Sequence, residues 1–249
     1  MHLILLDTSF QGALLGLAHR EQKEWSLNTK AYYENPQEAA TALPKMLHEL
    51  LEKGGLTLEQ IAGIVIGVGP GSFTGIKIGL SFAYGMKRAN PRLELTGVSA
   101  LRALSIHESF SGLSALPATG SAGYFVVRDG EDRKLGIVRG PEDPKVRGKE
   151  ALWEIFERTE ADREGATGLR VWPQNVNLLG NWPRLEEWLS ESQIDFKNWP
   201  VNSLAEPLLQ GMLTDYVMAH HASPQDKQLP QALYLRRSAP EEKLVPSSP

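Results

Sequence analysis

Short apolar runs alternate with turn-forming clusters through the first hundred residues. Leu3 to Leu6 and Ala13 to Ala18 flank Asp7-Thr8-Ser9 and Gln11-Gly12, which predicts a β-hairpin with small polar residues at its tip. A third strand near Trp25 to Leu27 would complete a meander. Asn35-Pro36-Gln37-Glu38 then offers an N-cap, a first-turn proline and an acid three residues past the cap, predicting a helix over Pro36 to Lys53. Its apolar face is Ala39, Leu43, Met46, Leu47, Leu50 and Leu51, and Gly54-Gly55 stops it. Pro44 inside the helix removes one ladder bond and predicts a kink.

The most ordered pattern runs from Ile61 to Arg88. Ile61, Ile64, Val65, Ile66 and Val68 form the β-branched run of a strand buried on both faces. Gly67, Gly69, Pro70 and Gly71 break it, and Ser72 caps a second helix. In that helix Gly75, Gly79 and Ala83 recur every fourth residue, giving one face without bulk. A glycine inside a helix costs about 1 kcal/mol relative to alanine, so the stripe implies close packing against another element. Leu95 to Val98 reads as a further strand, and Ser99 as the cap of a helix through Ile106.

A composition shift at His107 to Gly112 divides the chain into an N-terminal part, 1–106, and a smaller α/β part, 107–202. Strands are expected at Ser114 to Ala118, Gly123 to Val127 and Leu135 to Val138, and helices at Lys149 to Arg158 and Trp182 to Ser190. A last helix, Ser203 to His221, carries the pattern of a capping box in Ser203 and Glu206. With the extended segment Pro230 to Arg237 it forms a unit, 203–237, that packs back on the body, and 238–249 is expected to be a disordered tail. Five of the six tryptophans lie between 153 and 199, where core filling explains them better than a ligand platform does.

Composition narrows the function classes. The 41% apolar and 22% charged residues describe an ordinary globular chain, and no apolar run reaches the length needed to span a bilayer. The N-terminus lacks a basic leader, which predicts a cytoplasmic protein. With no cysteine there is no disulfide, thiolate nucleophile or cysteine metal site. Histidines at 2, 19, 48, 107, 220 and 221 leave no pair at helical i, i+4 spacing, so no metal site is expected. A net charge of −4 with interspersed cations argues against a stand-alone nucleic-acid binder.

Two stretches carry candidate chemistry. The elbow Gly67-Val68-Gly69-Pro70-Gly71-Ser72 lies between strand and helix, where phosphate loops occur. It has no Gly-Lys-Ser/Thr, and the Gly-x-Gly-x-x-Gly pattern ends on Ser72 instead of a third glycine. An anion at the helix N-terminus remains physically open. Asp7, Thr8 and Ser9 suit a phosphate-binding hairpin tip, but taken alone they fit a plain turn better, since all three residue types favour turns.

The string GVGPGSFTGIKIGLSFAYGMKRA, together with LLDTS, GVSAL at 97–101 and ALYLRR near the end, closely resembles the TsaB (YeaZ) family of tRNA threonylcarbamoyladenosine biosynthesis. The resemblance implies an α/β, actin-like ATPase (ribonuclease H-like) fold of two subdomains with mixed sheets. It also implies a non-catalytic subunit that pairs with a catalytic paralogue, TsaD, and is joined by a small ATPase, TsaE. That paralogue transfers threonylcarbamoyl to an adenosine beside the anticodon. Its His-x-x-x-His metal pair has no counterpart here.

Mapped onto this chain, the pairing helices are Pro36 to Lys53 and Ser72 to Arg88, with Gly75, Ile76, Gly79, Leu80, Phe82, Ala83, Leu43 and Leu47 as expected interface residues. Asp7, Thr8 and Ser9 become a vestigial phosphate site. No intrinsic cofactor is implied; ATP or ADP at a subunit interface, tRNA contact only through the complex, and a homodimer in the absence of the partner are compatible with the resemblance. The chain departs from the family at 117–124, where it reads PATGSAGY in place of an Asp-Ala-Arg type motif. The competing expectation is an actin-like-fold ATPase or kinase acting alone through Asp7, Thr8 and Ser9.

Overall fold

The structure is a computed structural model that describes residues 1–10, 12–110, 112–117, 122–129, 132–139, 176–180, 183–191, 193–222 and 229–232. The first sheet contains β1 (His2–Asp7), β2 (Ala13–Glu21), β3 (Glu24–Tyr33), β4 (Ile61–Gly67) and β5 (Glu94–Val98), in the order β3-β2-β1-β4-β5. The meander β1-β2-β3 is antiparallel, whereas β4 pairs parallel with β1 and β5 parallel with β4. Between these strands come α1 (Ala39–Gly54) and α2 (Phe73–Ala89), and after them α3 (Ala100–Ile106).

A second sheet contains β6 (Gly112–Pro117), β7 (Ala122–Asp129), β8 (Asp132–Arg139), β9 (Val176–Leu179) and β10 (Phe196–Trp199). Its order, β10-β9-β6-β7-β8, repeats the first: an antiparallel meander on one side of the leading strand and two parallel strands on the other. Two mixed sheets of the same topology make the duplicated actin-like architecture that the resemblance implied. The chain also contains α4 (Pro183–Glu191) and α5 (Val201–Ala222).

The two-residue period of β1 explains the layering. Ile4 and Leu6 face one side with Leu15, Ile64 and Ile66, where Leu43, Leu47 and Leu50 of α1 and Ile76 and Leu80 of α2 cover them. Leu3 and Leu5 face the other side, against Leu101 and Leu104 of α3 and Leu208, Leu209 and Met212 of α5. That second core continues into Leu116, Val126 and Leu179 of the second sheet. β1 and β4 are therefore sealed on both faces, while β3, at an edge, alternates between exposed and half-buried positions.

Several local expectations are corrected. α1 begins at Ala39, because the Asn35 Oδ1 accepts the Gln37 amide at 3.0 Å and holds 35–38 in a turn. Its N-cap position, Glu38, makes no side-chain cap and instead accepts the Tyr33 hydroxyl. The box expected at Ser203 and Glu206 does not form: α5 starts at Val201, the Ser203 hydroxyl donates to the Pro200 carbonyl at 2.7 Å, and Glu206 pairs with Lys30 of β3. β9 and β10 were not expected, and each is only four residues long. Trp199 is half-buried against the core: its ring packs on Phe110 with centroids 4.7 Å apart, and its indole N–H donates to the Asn177 Oδ1 at 3.0 Å. The helix expected at 149–158, Trp153, Trp172, Trp182, positions 118–121 and the tail 238–249 lie outside the described residues.

Candidate functional site: the hairpin tip and the second helix

The tip of the first hairpin is bound into the elbow. Asp7, Thr8 and Ser9 are all buried. The Asp7 carboxylate accepts the Ser9 amide at 3.0 Å, the Ser9 hydroxyl at 2.8 Å and the Phe10 amide at 3.1 Å, which is an Asx-type turn closed on itself. Burial raises the pKa of this carboxyl, and the three donated bonds oppose the shift. The Thr8 hydroxyl donates to the Gly75 carbonyl at 2.6 Å, and the Ser72 amide donates to the Ser9 carbonyl at 2.7 Å. The polar groups proposed for phosphate are thus engaged within the chain.

This docking explains the elbow. A Cβ on Gly67 would lie 1.8 Å from the Asp7 Oδ2, and one on Gly71 would lie 2.2 Å from the Ser9 carbonyl oxygen. Gly69 has a φ of 100°, which a β-carbon disfavours, and is followed by a cis peptide to Pro70. Ser72 caps α2 as expected, its hydroxyl accepting the Gly75 amide at 3.1 Å.

The small-residue stripe has an intramolecular partner. A Cβ on Gly75 would come within 1.8 Å of the Thr8 carbonyl oxygen, and one on Gly79 within 2.4 Å of the Thr8 Oγ1. Ile76, Leu80 and Ala83 belong to the same buried face, and Leu43 and Leu47 of α1 are core residues beneath it. Of the expected interface residues only Phe82 is partly exposed. The other seven, Gly75, Ile76, Gly79, Leu80, Ala83, Leu43 and Leu47, serve the chain's own core. Apolar residues at a helix period mark the inward face, and the outward face is the complementary set.

That outward set on α2 is Phe73, Thr74, Lys77, Ser81, Gly85, Arg88 and the last residue, Ala89. Phe73 is 47% exposed, with the Lys77 ammonium 3.9 Å from its ring centroid. A Cβ on Gly85 would have no atom within 4 Å. The exposed residues of α1 beside it include Ala40, Pro44, Lys45, His48 and Glu49. The sequence signal for this face was the phase of the apolar period and the absence of acidic residues from α2.

Little space remains beside the hairpin tip. Asp7, Phe10, Leu14 and Tyr32 on one side and Val201, Leu204 and Leu208 of α5 on the other enclose about 10 Å³, room for a single water molecule. A wider, open groove of about 830 Å³ lies at the far end of β4 and β5, lined among others by Gln60, Asn90, Arg92 and Glu94.

Residues 35–123, from the turn before α1 into β7, match the family described as TsaD: tRNA N6-adenosine threonylcarbamoyltransferase. The chain is 31% identical to the tRNA threonylcarbamoyladenosine biosynthesis protein TsaB of Haemophilus influenzae over 51% of its own length and 54% of that protein. It is 26% identical to the TsaB of Escherichia coli over 70% of its length and 74% of that protein. The chain is a relative of the TsaB proteins. It spans about half the length of the Haemophilus TsaB that it matches. Among solved structures it resembles YeaZ of Pseudomonas aeruginosa, with a TM-score of 0.57 and 20% identity over 93% of this chain and 99% of that one. It also resembles a protein described by its similarity to peptidase YeaZ from the same organism, with a TM-score of 0.60 and 18% identity over 94% and 99%. At that identity the two structures show that the TsaB-like chain shares their fold.

Proposed function

We propose that this chain is a non-catalytic subunit of tRNA threonylcarbamoyladenosine biosynthesis in the cytoplasm. It acts by docking a TsaD-like catalytic paralogue through the outward faces of α1 and α2, and a TsaE-like ATPase joins the assembly. The biosynthetic role is supported by the likeness to proteins named for it. The docking mode is carried by one observation: α2 turns its small and apolar stripe inward and still presents Phe73, Thr74, Lys77, Ser81, Gly85 and Arg88 as a continuous exposed lane.

The engagement of Asp7, Thr8 and Ser9 in turn and helix contacts supports a structural role for the hairpin tip over a phosphate-handling one. Any ATP or ADP would then sit where subunits meet, and tRNA would reach this chain only through the complex. Reconstitution with the organism's TsaD-like and TsaE-like proteins tests the reading. Omitting this chain should abolish threonylcarbamoyl transfer to tRNA and prevent assembly of the three proteins. Unchanged modification without it overturns the proposal. Calorimetric ATP binding and turnover by the isolated chain would favour an independent ATPase.

A further inference from the structure

The exposed lane of α2 has its own chemistry. Phe73, Thr74, Lys77, Ser81, Gly85 and Arg88 lie within about 120° of the helix circumference at 100° per residue, and the buried residues Gly75, Ile76, Gly79, Leu80, Ala83 and Met86 occupy the opposite side. α2 contains Lys77, Lys87 and Arg88 and no acidic residue, in a chain whose net charge is −4. Lys87 is committed to its own helix end, with its ammonium donating to the Pro91 and Leu93 carbonyls at 2.7 and 2.6 Å. Lys77 and Arg88 are exposed, and among the described residues neither is paired with a carboxylate. They stand eleven residues apart, about 16 Å along the axis, with Ser81 and Gly85 between them.

Resting on the docking reading above, we infer that this lane takes an acidic helix of the partner: one with small side chains at mid-contact and carboxylates about three turns apart, paired with Lys77 and Arg88. Ser81 and Gly85 provide the close approach that two helices need when no bulk separates them. Phe73 supplies apolar area at the N-terminal end, where the Lys77 cation already lies over its ring. The two cations fix register and reject the wrong partner, since like charges facing each other across an interface are costly. A second copy of this chain meeting the lane with its own α2 would set cation against cation, so the charge pattern disfavours that pairing.

The test uses the full-length chain and the same organism's TsaD-like protein, with affinity measured by calorimetry at low and high salt. Wild-type affinity should fall several-fold as salt rises. Lys77→Glu with Arg88→Glu should weaken binding at least tenfold and remove most of the salt dependence, while Lys77→Arg with Arg88→Lys stays within about twofold. Gly85→Leu should also weaken binding at least tenfold without lowering the melting temperature, because its side chain points into open space. If the wild type binds and the charge-reversed variant binds equally well, the acidic-helix inference is overturned and the docking reading stands. If the wild type does not bind, the docking reading itself fails. Saturable tRNA binding by the isolated chain, lost on charge reversal while partner affinity is unchanged, would reassign the lane to nucleic acid.

Discussion

Thr8 shows how one side chain can settle the meaning of a motif. Its hydroxyl and carbonyl lie where β-carbons on Gly79 and Gly75 would fall, so those glycines are contacts of the hairpin tip before they are anything else. Gly79→Leu is therefore expected to destabilise the isolated chain by about 1–3 kcal/mol, seen as a clear loss of melting temperature, since it overpacks against the Thr8 side chain, whose hydroxyl is held by its bond to the Gly75 carbonyl. A Gly79→Leu chain as stable as wild type would contradict the packing. Asp7→Ala strips three donors of their acceptor and should cost about 3 kcal/mol in denaturant unfolding.

The same carboxyl has a pH signature. Burial raises its folded pKa above the unfolded value, so at acid pH the native state binds the extra proton more readily. This contribution to stability is complete below the unfolded pKa and is lost as pH rises through the raised folded value. The stability of wild type minus that of Asp7→Asn should accordingly grow as the pH is lowered from neutral; a pH-independent difference would show that the carboxyl is not perturbed.

For α2 as an element, opposite faces predict opposite phenotypes. Ile76→Ala opens a cavity in the layer between α2 and the first sheet and should cost about 2–4 kcal/mol. Phe73→Ser, on the exposed side, should leave stability within about 0.5 kcal/mol while weakening association with the TsaD-like protein. Measuring melting temperature and partner affinity on both variants separates the inward face from the outward one. The helix and its buried period were legible from residues alone, and so were the elbow and the Ser72 cap. Which way the small-residue stripe faces was not, because small residues every fourth position fit a neighbouring turn of the same chain as well as another protein. The onsets of α1 and α5 were also misplaced, since Asn35 was spent on its own turn and Glu206 on Lys30.

At the scale of the molecule, α5 follows the second sheet in sequence and packs on the first. Its Gly211 lies so close to α3 that a Cβ would come within 1.9 Å of the Ala103 carbonyl oxygen, and its Asp215 pairs with Arg102 at 3.2 Å. Because one core runs from Leu3 and Leu5 through α3 and α5 to Leu116, Val126 and Leu179, heating should give a single cooperative transition by calorimetry. Gly211→Leu should lower it as a whole. Two resolved transitions would show that the sheets melt separately. The short parallel strands β9 and β10 also belong to this scale: with four residues each, they acquire an identity only through pairing with β6 and with each other.

The sequence by itself determined the strand-elbow-helix unit from Ile61 to Arg88, because periodicity, capping and turn chemistry are local, and its contiguous strings carried the likeness to TsaB and, through that resemblance, the expectation of an actin-like α/β fold. Only the tertiary structure decided that Asp7, Thr8 and Ser9 are consumed in holding the hairpin to α2, and that the glycine stripe faces inward. The reason is steric and long-range: whether a glycine marks a ligand, a partner or a close contact within the chain depends on what stands where its β-carbon would be. Here, across 67 residues of chain, that neighbour is Thr8.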